Sequence, residues 1–136
     1  MPAVSWPLLL DRPMIRLTLP VALGTQPLLR ALLADTGAGA LRDPFELILD
    51  EDDCIQCGGI PIQPATLGGA YVGSFPVYLV DVQIPELGFE DTVPAVGVPN
   101  PPVAFDGIAC FEFLNRFSYG NFGRDDQFGL DAHPTV

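Results

Sequence analysis

Glycine and proline interrupt this 136-residue chain so often, 14 of the one and 15 of the other, that short strands joined by turns fit it better than long helices. Proline removes a backbone donor and glycine loosens a helix, so the repeating elements between them must be brief. A hydrophobic fraction of 49% is too high for a disordered chain, and the length suits one domain with its own core. The expected fold class is all-β, with one or two short helices.

Periodicity places the elements. Residues 1–13 carry three prolines and no clear period, and are expected to be an extended lead-in. From Met14, the residues Ile15, Leu17, Leu19 and Val21 alternate with Arg16, Thr18 and Pro20, the pattern of a half-buried strand. Residues 24–26 read as a turn, and 27–34 as a strand in preference to a short helix. After the apolar run 45–49, the acidic residues Asp50 to Asp53 open a short helix that stops at Gly58-Gly59. That acidic run lacks the glycine and terminal glutamate of an EF-hand calcium loop. Residues 60–66 are extended and lead to a hairpin tip at Leu67-Gly68-Gly69-Ala70-Tyr71.

Residues 73–84 form the longest expected strand, apolar on both faces and therefore central or packed twice. A strand at 92–96, a rigid proline loop at 99–102, a helix over 111–117 and an edge hairpin or strand within 118–130 complete the domain, which spans 14–130. Residues 131–136 are expected to fray.

Seventeen acidic against six basic residues give a net charge of -11, and no basic cluster exists, so nucleic acid is not an expected partner. Acid pH would relieve this self-repulsion. The first ten residues lack the basic start of a secretory signal, and no stretch approaches the roughly 20 apolar residues of a membrane span. A cytoplasmic location is the resulting expectation.

Three cysteines argue against a closed disulfide framework. Cys54 and Cys57 form a Cys-x-x-Cys pair, but zinc would need further ligands and only Cys110 and His133 remain. Neither a metal nor another cofactor is expected.

One motif carries chemistry. Asp35-Thr36-Gly37-Ala38-Gly39 follows the apolar run Ala31 to Ala34, setting a carboxylate at the end of a buried strand with a hydroxyl and a glycine turn behind it. Glycines here allow backbone N–H groups to turn towards the carboxylate. A plain Asp-Gly type turn capping a strand is the alternative. The only histidine, His133, is the fourth residue from the end, which leaves a serine or cysteine hydrolase without a base.

The order of parts over about residues 14–125 resembles the retropepsin-like aspartic peptidases. The matching pieces are Leu32-Leu33-Ala34-Asp35-Thr36-Gly37-Ala38, the glycine-bearing Leu67-Gly68-Gly69-Ala70, and Asp106-Gly107-Ile108-Ala109-Cys110-Phe111-Glu112-Phe113-Leu114. The resemblance implies a closed β-barrel with a psi-loop and a homodimer that hydrolyses peptides or proteins, each subunit supplying one aspartate. It also implies catalytic roles for Asp35, Thr36 and Gly37. Ala38 in the active-site loop and Leu67, Gly68, Gly69 and Tyr71 in a flap would bind substrate. Cys110 departs from the pattern, because a glycine is expected there. That substitution motivates a second reading, a dimerisation or peptide-binding module that keeps the fold without turnover. Asp106 as an in-chain partner for Asp35 is a lesser possibility, since an Asp-Gly turn explains it.

Overall fold

The computed structural model describes residues 3–21, 26–40, 43–68, 71–101 and 104–132. Those residues form a mainly β protein with a closed six-stranded barrel and two α-helices. In chain order the elements are β1 (Ala3–Pro7), β2 (Met14–Leu19), β3 (Leu28–Ala34), β4 (Leu47–Asp50), α1 (Glu51–Gly58), β5 (Gln63–Leu67), β6 (Gly73–Ile84), β7 (Phe89–Val98), β8 (Gly107–Ala109), α2 (Phe111–Leu114), β9 (Phe117–Gly120) and β10 (Gln127–Ala132). A 3-10 turn, Pro85–Leu87, joins β6 to β7.

The barrel runs β2-β3-β8-β4-β7-β6 and closes where β6 returns to β2 at Thr18 and Gln83. Three residues of β8 lie between β3, to which they run parallel, and β4, to which they run antiparallel. Gly107 is obligatory there: a Cβ at this position would drive into the backbone carbonyl of Ile48. β5 pairs outside the closed ring with the first half of β6, forming a hairpin that projects from the barrel.

Alternation explains the strands. In β2, Ile15, Leu17 and Leu19 are buried while Arg16 is exposed. β6 has the bounds expected from sequence, and it is central in pairing, with β7 on one side and β5 and β2 on the other. Its two faces differ more than expected: Tyr78, Val80, Val82 and Ile84 are buried, whereas Leu79 and Asp81 face solvent. The helix expected from 111 to 117 is a single turn. It ends at Leu114 with Asn115 as its cap, and Phe117 opens β9. Phe113 and Phe117 still share the core, packing edge-on or tilted against Phe89 and each other at 5.2–5.9 Å.

The lead-in residues Ala3–Pro7 pair antiparallel with β10, which pairs with β9 in a separate three-stranded sheet. Asp131 and Ala132 are the last residues of β10. The turn expected at 24–26 lies largely outside the described residues, as does Pro102 of the proline loop.

Two arginines tie distant segments through three ion pairs. Arg30 on β3 grips Asp53 on α1 through Nε and Nη2, at 2.7 and 3.0 Å. Arg116 grips the buried Glu46 bidentately at 2.6 and 2.8 Å, donates to Asp91 at 2.7 Å, and lies over the Phe89 ring. Among the described residues no helix is long and apolar enough to cross a membrane.

Candidate functional site

β3 delivers Asp35. Leu32, Leu33 and Ala34 are buried at the end of that strand, and the next residue emerges half-exposed. Its N–H donates to the carbonyl of Ala109 at 3.0 Å, so the register of β3 and β8 continues into the loop. The chain then turns: Ala38 N–H donates back to the Asp35 carbonyl at 3.1 Å, and Gly37 N–H donates to Asp35 Oδ1 at 2.9 Å. A Cβ on Gly37 would stand 3.3 Å from that oxygen. From behind, Phe111 N–H donates to the Ala38 carbonyl at 2.9 Å, and Cys110 N–H to the Glu46 carbonyl at 3.0 Å. The start of α2 therefore fixes the loop that carries the carboxylate.

Asp35 opens into a cleft of about 740 Å³. One wall is the loop itself, with Gly37, Ala38 and Gly39, continued by Asp43, Pro44 and Phe45. The β5–β6 hairpin supplies Pro64, Ala65, Thr66, Leu67, Gly68 and Tyr71, and the barrel supplies Ile48 and Ile108. Of the residues expected in the site, the cleft gathers Asp35, Gly37, Ala38, Leu67, Gly68 and Tyr71. Thr36 is exposed and does not line it, and Gly69 lies outside the described residues. Burial raises the Tyr71 phenol, which stays protonated at neutral pH.

Cys110 sits behind the loop as expected, fully buried. Burial first, then the charges of Asp35 and Asp43, push its thiol up to about 12. A side chain on Gly39, whose φ is +72°, would meet the Cys110 Cβ at 3.6 Å, so the two positions share one small space. Asp106 has a different duty. Its Oδ2 accepts from Ala31 N–H at 2.9 Å, its own N–H donates to the Ala31 carbonyl at 2.8 Å, and it lines a separate cavity with Arg16 and Arg30.

Sequence reasoning overlooked Asp43, the second carboxylate of the cleft. Its local signal was an Asp-Pro step eight residues after Asp35, a turn signature. Indeed Asp43 closes on Ala40: Ala40 N–H donates to Asp43 Oδ2 at 2.6 Å, and Asp43 N–H donates to the Ala40 carbonyl at 3.2 Å. Among the described residues no group of three or more His, Cys, Asp or Glu converges as a metal ligand set. No family model, no curated protein and no solved structure matches this chain.

Proposed function

We propose that this protein is an aspartic endopeptidase of the retropepsin-like kind, active as a homodimer with Asp35 of each subunit at the twofold axis. The observation that carries this reading is the half-exposed Asp35 on its braced turn, opening into a cleft whose opposing wall is a projecting hairpin. A peptide lying extended in that cleft can gain backbone pairing from a strand edge.

Two carboxylates about 3 Å apart share one proton in aspartic peptidases at large, because like charges that close cannot both ionise. One Asp35 removes a proton from water as the water attacks the scissile carbonyl carbon. The other, protonated, donates to the carbonyl oxygen, and proton transfer to the amine then releases the two products. Gly37 N–H, already on Asp35 Oδ1, holds the carboxylate orientation. One Asp-Thr-Gly per chain calls for a second chain, and a twofold axis supplies the same residue again.

A catalytically silent peptide-binding or dimerisation module is the second reading, favoured by the buried Cys110 side chain packed behind the loop. Cleavage of a mixed peptide library from about pH 3 to about pH 7 separates the two. A peptidase cuts, rises faster than linearly with dilute enzyme concentration, and is silenced by Asp35→Asn. Absence of cleavage by a folded, dimeric wild type at every pH leaves the module.

A further inference from the structure

We propose that the Asp35 cleft selects peptides bearing a lysine or arginine side chain, with Asp43 as the residue that recognises the cation. This rests on the reading of the cleft as a peptide site. Among the described residues lining it, the charged side chains are Asp35 and Asp43, and no basic one accompanies them. Asp35 is committed to the reaction, so Asp43 is the carboxylate left for a ligand.

Its geometry is that of a fixed acceptor. Oδ2 is held by Ala40 N–H at 2.6 Å, and the bare Cα of Gly39 makes room for it, since a Cβ there would stand 3.1 Å from Oδ2. Oδ1 takes no hydrogen bond from the described residues. A carboxylate positioned before the ligand arrives loses little freedom on binding. Pro44 and Phe45 continue the wall beside it, and apolar surface leading to a charge suits the methylene stem of lysine or arginine.

The cation site also lies close to the reacting centre. Asp43 Oδ2 and the buried Cys110 both lie against Gly39, four residues after Asp35 on the same loop. Same-face side chains of an extended peptide are spaced by about 7 Å, so one peptide running along the cleft can meet both Asp35 and Asp43. An acidic side chain in the same place would meet a like charge.

The test uses Asp35→Asn protein, which removes turnover and also the charge of Asp35 itself. Acetylated and amidated neutral decapeptides carry one arginine, moved through each position, and are paired with peptides carrying citrulline at the same position. Fluorescence polarisation reads binding. Arginine at one or two positions is expected to tighten binding about fivefold or more over citrulline, with the gap closing at high salt. Adding Asp43→Asn, which keeps an oxygen for Ala40 N–H, is expected to abolish the gap while the melting temperature holds. Equal binding of arginine and citrulline peptides to Asp35→Asn overturns the proposal and leaves the peptide cleft standing, with no need of the second variant. A gap that survives Asp43→Asn overturns the role of Asp43. Failure of every peptide to bind overturns the proposal together with the reading beneath it.

Discussion

Gly107 illustrates how much one missing side chain decides. Because its Cα faces the Ile48 carbonyl, three strands can pass side by side and the Asp35 loop can hang from the carbonyl of Ala109, two residues on. An alanine there must push β4 away, since a backbone carbonyl cannot swing aside as a flexible side chain would. Gly107→Ala is expected to destabilise the fold by about 3 kcal/mol or more, read as a lowered urea midpoint with an unchanged slope. Stability equal to wild type would mean that β8 does not run where it is described. The Asp-Gly step was visible in the sequence as a turn, yet nothing local marked it as the site of closest backbone approach. That requirement comes from Ile48, 59 positions away, and no periodicity reports a contact so distant.

Elements joined by charge behave differently from elements joined by burial. Arg116, between α2 and β9, links the residue just before β4 to β7 through Glu46 and Asp91. The hydrogen bond from Arg116, then that from Thr92 N–H, holds the Asp91 carboxyl below its ordinary value. A carboxyl depressed in the folded state contributes stability that is full above its unfolded pKa and lost as pH falls through the folded one. Asp91→Asn should therefore lower stability near neutrality and cease to matter between about pH 5 and pH 2, as urea midpoints across that range will record. A wild-type advantage that stays constant into acid would contradict the pairing.

The elements themselves were legible to unequal degrees. β6 could be bounded from sequence because its long, mostly apolar run lies between the turn signals Gly73 and Pro85, and α1 because Asp50 accepts from Asp52 N–H as an N-cap should and Gly59 ends it. α2 was overextended because Phe113 and Phe117 fit a helical period. What Phe117 follows is the shared aromatic core, which it reaches from a strand. Within the cleft, the Asp35 motif and the glycine hairpin stood out by composition. Asp43, Phe45 and Ile48 did not, since they line the cleft only once β4 has folded beneath the loop.

At the scale of the whole molecule, the proposed reaction needs a second copy of the chain. Each chain carries a net charge of -11, so two of them repel at neutral pH and low salt, and association should strengthen as salt screens the charge or acid removes it. The monomer is closed as a barrel, but its cleft holds a single Asp-Thr-Gly aspartate. The proposed function belongs to the pair.

Titrating Asp35→Asn protein into a fixed amount of wild type, and following cleavage of one library-derived peptide, tests that claim directly. If two Asp35 carboxylates share the work, mixed dimers are dead and random exchange at equal amounts leaves about half of the wild-type rate, falling further with excess mutant. A rate that stays constant however much mutant is added would contradict the shared site.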